Sequence, residues 1–104
     1  MKTEEIKIML EQTGLPVAYH HFSQQMKLPF LVYLLPESRN IIADDGVYQR
    51  GQLVRVELYT AKKDLEIEKK VENVLSDMVW SRSETYIDSE DMYEIVYEME
   101  VMIE

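Results

Sequence analysis

The chain contains no cysteine. That removes disulfides, thiolate metal sites and cysteine nucleophiles together, and it suits a reducing compartment. Glycine is nearly as scarce: only Gly14, Gly46 and Gly51 occur, each at a turn or a strand boundary. A loop that cradles phosphate needs several glycines close together, so Walker A, dinucleotide and kinase loops are excluded. A G-x-S-x-G nucleophile elbow is missing as well. No apolar run approaches the roughly 20 residues that span a bilayer. Residues 1–10 mix acids with apolar side chains, unlike a secretory leader. Positive charge is also short: 11 basic against 20 acidic residues leave a net charge of −9. Such a field repels phosphate backbones, so nucleic acid is not an expected partner. The only histidines, His20 and His21, are adjacent. Neighbours on a strand face opposite sides, so the pair is not expected to share a metal. No catalytic residue, cofactor or metal site is expected.

What is present reads as globular. The length of 104 residues fits a single domain, 1–104. Hydrophobic residues at 46% and charged residues at 30% can build a core, which a disordered chain cannot. Tyrosine and methionine occur seven times each; tyrosine suits half-buried strands and contact surfaces, its ring apolar and its hydroxyl polar. The acids are unevenly spread. Residues 84–104 hold Glu84, Asp88, Glu90, Asp91, Glu94, Glu98, Glu100 and Glu104 with no basic residue among them. That stretch is either a solvated strand face or an electronegative surface for a partner or a lumen. Asp44-Asp45 and Asp88-Ser89-Glu90-Asp91 lack the spacing of a calcium loop and read as solvated turns.

Periodicity places the elements. Thr3 is a candidate N-cap, with Glu4 and Glu5 in the first turn and Ile6, Met9, Leu10 and Thr13 on one face, so a helix is expected over 3–13. Gly14 can take the left-handed position after it, and Pro16 prevents continuation. Residues 17–22 read as a short strand and 23–27 as a turn. Pro29 and Pro36 enclose Phe30-Leu31-Val32-Tyr33-Leu34-Leu35, the pattern of a strand buried on both faces. Residues 37–46 read as a hairpin arm. Its Ile41-Ile42 pair either touches a partner or folds back on the core. The return strand, 47–60, alternates cleanly, with Val54, Val56 and Leu58 on one side and Arg55, Glu57 and Tyr59 on the other. Asp64 caps a second helix with the apolar stripe Ile67, Val71, Val74, Leu75 and Met78, leaving Glu66, Glu68, Lys69, Lys70 and Glu72 outside. Residues 79–88 form a third strand, opened by Trp80 as either a core anchor or an interface hot spot. Residues 92–103 form a fourth, with Tyr93, Ile95, Tyr97, Met99, Val101 and Ile103 on one face and Glu94, Glu98, Glu100 and Glu104 on the other. The expected fold is α+β in the order α-β-β-α-β-β: an antiparallel sheet of two hairpins with two helices packed on one face.

Several stretches resemble a family of short proteins encoded by siphophages and prophages of Gram-positive bacteria. They are residues 14–22 (GLPVAYHHF), 32–38 (VYLLPES), 47–49 (VYQ) leading to 56–64 (VELYTAKKD), and 84–87 (ETYI) through 97–99 (YEM). The resemblance covers nearly the whole chain and rests on texture and element order. In that family the gene typically lies between head–tail connector genes and the major tail protein gene. The resemblance implies a tail terminator or tail-to-head joining protein of compact α/β fold, acting as a hexameric ring that caps the tail tube. It implies self-association, contacts with the major tail protein and head–tail connector proteins, and a place in the host cytoplasm during assembly and then at the head–tail junction of the virion. The residues expected to make contacts are Ile41, Ile42, Asp44 and Asp45 on the arm and Glu94, Glu98 and Glu100 on the acidic strand face. No enzymatic activity and no membrane association are expected. Two other readings differ in partner: another head–tail connector or adaptor component, and a small acidic prophage regulator or inhibitor that binds a host protein.

Overall fold

The two-residue alternation of the return strand and of the last strand is realised at the centre of one sheet. A computed structural model describes residues 1–42, 46 and 48–104. Along the chain run α1 (Thr3–Glu11), β1 (Val17–Tyr19), β2 (Phe30–Ser38), β3 (Ile41–Ile42), β4 (Tyr48–Gln49), β5 (Gly51–Thr60), α2 (Leu65–Val74), β6 (Trp80–Ile87) and β7 (Met92–Met102). Five strands form the main sheet in the order β1-β2-β5-β7-β6, and β3 pairs with β4 in a separate ribbon. β5 and β7 pair without interruption from Gly51↔Met102 to Thr60↔Tyr93. The fold is therefore α+β, with the two expected hairpins, β2–β5 and β6–β7.

Both helices lie on one face. Ile6 and Leu10 from α1, Val71 from α2 and Leu75 just after it join one buried cluster with Leu31, Tyr33, Val54, Val56, Leu58, Ile95, Tyr97, Met99 and Val101. Each fully buried side chain of this size is worth about 1.5–3 kcal/mol of transfer free energy, and that burial holds short helices that would be marginal alone. α2 is capped as expected: the Ile67 N–H donates to Asp64 Oδ1 at 3.1 Å. Trp80 is half-buried against the cluster and meets Tyr97 edge-to-face at 5.3 Å.

Several expectations are corrected. α1 is capped by the backbone at Lys2, whose N–H donates to Glu5 Oε1 at 3.1 Å, and Thr3 is already helical. The helix stops at Glu11. Thr13 Oγ1 donates to the Leu10 carbonyl at 2.7 Å, and Gly14 takes φ +83°, the left-handed turn expected of it. The sheet is not wholly antiparallel, because β1 lies parallel to β2 at one edge. Residues 20–29 carry the chain back to the start of β2, a return that a tight hairpin does not make. β1 ends at Tyr19 because His20 has φ +67°, outside the extended region. In β2, the register slips between Leu34↔Arg55 and Glu37↔Leu53. Pro36 stands inside that slip and has no N–H to give the ladder, so the strand bulges there. Glu68, expected outside, is buried with 4% exposure.

Candidate interaction surfaces

The arm begins where β2 and β5 leave the main sheet. The Arg39 N–H donates to the Gly51 carbonyl at 2.8 Å, and the Gly51 N–H donates to Asn40 Oδ1 at 3.2 Å. A Cβ at position 51 would collide with the Arg39 carbonyl, so the crossing needs glycine. Beyond it Ile41 pairs with Gln49 and Ile42 with Tyr48. Ile41 is 52% and Ile42 77% exposed, which decides against the pair folding back on the core. Asp44 and Asp45 lie outside the described residues. The molecule measures 51 × 25 × 25 Å, a long body for its size.

The sheet face opposite the helices carries the acidic residues, arranged in cross-strand rows. One row runs Phe30, Tyr59, Glu94, Thr85; the next Val32, Glu57, Val96, Ser83; the third Leu34, Arg55, Glu98, Ser81. Glu94 and Glu98 thus share a face, as expected, but they do not stand alone. The Tyr59 hydroxyl sits between two carboxylates, 2.8 Å from Glu57 Oε1 and 2.7 Å from Glu94 Oε2, which share its one proton. Burial, then these carboxylates, push the Tyr59 hydroxyl well above its ordinary range. Arg55 Nε meets Glu57 Oε2 at 2.7 Å, and Arg39 lies 3.4 Å from Glu100 Oε1. The hydrogen bond from Arg55 to Glu57 raises the guanidinium pKa against an opposing burial effect. Val32 and Val96 are buried between the charged rows. The face is therefore acidic in balance, threaded by two arginines and seamed with apolar side chains. Glu104 is elsewhere, 3.7 Å from the N-terminal ammonium.

Where this face meets the base of the arm there is an open hollow of about 630 Å³, lined in part by Arg39, Leu53, Trp80, Glu98, Glu100 and Met102. It brings Glu98 and Glu100 beside the arm's root, a juxtaposition of two surfaces that sequence reading treated apart. A second hollow of about 500 Å³ lies at the other end of the face, lined by Phe22, Met26, Phe30, Tyr59 and Met92 and by both histidines. His20 and His21 do not point apart as expected. With His20 turned out of the strand, their Nδ1 atoms come within 3.0 Å. Among the described residues no group of three or more histidine, aspartate or glutamate side chains is gathered to hold a metal ion. No helix of those residues is long and apolar enough to cross a membrane.

On the helix side, an ion cluster joins α2 to β6. Arg82 Nη2 lies 2.5 Å from Glu68 Oε1 and 3.1 Å from Glu84 Oε1, while Lys63 Nζ lies 2.7 Å from Glu68 Oε2 and 2.5 Å from Glu84 Oε1. Tyr97 donates to Glu72 Oε2 at 2.7 Å beside it. The hydrogen bond to Glu68 holds the Arg82 guanidinium far up its range despite opposing burial. At Lys63 burial opposes the charge, but hydrogen bonds to Glu68 and Glu84 outweigh it and raise its pKa. Lys63, followed by Arg82, draws the Glu84 carboxyl below its usual range. Sequence analysis missed this cluster. The available signal was spacing: Glu68 stands three and seven residues before Val71 and Leu75, on the apolar stripe itself.

The fold is shared with a virion chain. Among the solved structures that match is a chain of "Virion of native gene transfer agent (GTA) particle", at a TM-score of 0.53 and 12% identity, covering 91% of this chain and 84% of that one. At that identity the likeness is one of fold. No protein-family model matches the sequence, and no curated protein sequence does.

Proposed function

We propose that this chain is a structural component of a phage-like particle, a tail terminator or tail-to-head joining protein that works as a ring, a hexamer, at the head-proximal end of the tail tube. The carrying observation is the fold shared over 91% of the chain with a component of a virion. The resemblance of residues 14–22, 32–38 and 56–64 to siphophage proteins points the same way. A ring is built from heterologous contacts repeated until the rotation closes. The exposed Ile41-Ile42 arm supplies one side of such a contact. The acidic face with Glu94, Glu98 and Glu100 fits a lumen along which DNA slides without adhering, since like charges repel. In this reading the partners are further copies of the chain, the major tail protein and the head–tail connector proteins. The protein is made in the host cytoplasm, ends in the virion and converts no substrate.

The test is stoichiometry. Intact particles purified from the host that carries the gene are digested, and this chain is quantified against the portal protein by mass spectrometry. Copies on the order of one ring per particle support the proposal. Absence from clean particles rejects it and turns attention to a host protein as partner.

A further inference from the structure

β6 is the long free edge of the sheet. Among the described residues it has β7 on one side and no strand on the other, whereas the opposite edge is closed by the three-residue β1. Natural edges are usually blunted by proline, bulges or a row of like charges. β6 has no proline, and it pairs with β7 without a bulge from Trp80↔Met99 to Ile87↔Met92. From Ser81 to Tyr86 every residue is exposed. Its two charged residues, Arg82 and Glu84, have opposite signs.

The sequence of this edge is complementary to itself. Read Trp80-Ser81-Arg82-Ser83-Glu84-Thr85-Tyr86 antiparallel to a second copy, with Ser83 opposite Ser83. Arg82 then faces Glu84, Ser81 faces Thr85, and Trp80 faces Tyr86. Each pairing is of a favourable cross-strand kind: opposite charges, two hydroxyls, two aromatics. The faces agree as well. By register with β7, Ser81, Ser83 and Thr85 share the face of Glu98, Val96 and Glu94, and Trp80, Arg82, Glu84 and Tyr86 share the helix face. Small hydroxyl side chains therefore meet on one side and the charged and aromatic ones on the other. Residues opposed in an antiparallel pair must both point their backbone groups toward the partner or both away. A pairing centred on one residue satisfies that rule at every position.

We infer that two copies of this chain pair edge to edge through β6, antiparallel and centred on Ser83, joining their sheets into one. Such a contact is two-fold and closes on itself, so it differs from the head-to-tail contact that a ring requires, and it does not rest on the proposed particle role. Because the chain lacks cysteine, the register can be read directly by introducing single cysteines. Under mild oxidation S83C is expected to form a reducible covalent dimer. T85C alone, facing Ser81 of the other copy, is expected to give none, and S81C/T85C is expected to restore cross-linking. Unmodified protein is expected to double its mass with rising concentration in light scattering. These exposed positions tolerate cysteine without unfolding, which far-UV circular dichroism verifies. Cross-linking of T85C as efficient as that of S83C, failure of S83C to cross-link, or a monomer persisting to about 1 mM, an affinity too weak for a specific pair, overturns the inference.

Discussion

Glu68 shows how one residue ties chemistry to stability. Its carboxylate is almost wholly removed from water and is compensated by Arg82 at 2.5 Å and Lys63 at 2.7 Å. Glu68→Ala removes the cluster's one buried charge; Arg82 and Lys63 are partly solvated and keep Glu84, so what is lost is the hydrogen bonding to a charged group, typically about 1.5–3 kcal/mol. Glu68→Ala is therefore expected to lower stability by about 2 kcal/mol, read as a reduced urea midpoint at unchanged slope; a change within about 0.5 kcal/mol, as at ordinary surface sites, would contradict the cluster's role. Two tyrosines contribute to the alkaline limit. Tyr97 is fully buried and Tyr59 is half-buried. Burial first, and hydrogen bonds to Glu72 and to Glu94 and Glu57 second, raise both above the ordinary value of 10.0. Below pH 10 the folded and unfolded chains both carry these protons. Above it the unfolded chain releases them first, so stability falls, by up to about 1.4 kcal/mol per pH unit for each tyrosine. Urea titrations at stepped pH are expected to show this decline, and Tyr97→Phe and Tyr59→Phe to flatten it.

At the scale of elements, the arm and α2 behave oppositely. Ile41 and Ile42 are exposed and contribute little to the core, so Ile41→Ser with Ile42→Ser is expected to change stability by no more than about 0.5 kcal/mol. On the proposed particle role, the same variant is expected to be lost from particles, measured by the mass-spectrometric count. An unfolded variant would mean that the arm is part of the core after all. α2 depends on its ends as well as its stripe. Asp64→Ala removes the acceptor for the Ile67 N–H and is expected to cost about 1 kcal/mol in thermal or urea unfolding. The alternation at Val54, Val56 and Leu58 and at Tyr93 through Ile103 was readable because a strand with one wet face must alternate. The Asp64 cap was readable for an equally local reason. β1's parallel pairing was not, because nothing within residues 17–19 encodes which strand they meet or in which direction.

For the whole molecule, one cluster draws residues from Ile6 to Val101, so the two hairpins and both helices share a core. Trp80 fluorescence and far-UV circular dichroism are accordingly expected to report coincident unfolding transitions, and separated midpoints would show two independent parts. The amino-acid sequence alone determined the α+β class, the helix and strand positions to within a few residues, the absence of cysteine chemistry and phosphate loops, and the one-sided acidity of the last strand. These are properties of composition and of periods of two or 3.6 residues, carried by neighbours along the chain. Tertiary structure alone decided that Glu68 is buried, that Arg55, Arg39 and Tyr59 temper the acidic face, that His20 and His21 come together, and that, among the described residues, β6 is left as a bare edge. Each depends on which distant segments meet across the sheet, and such pairings are set by the packing of the assembled core.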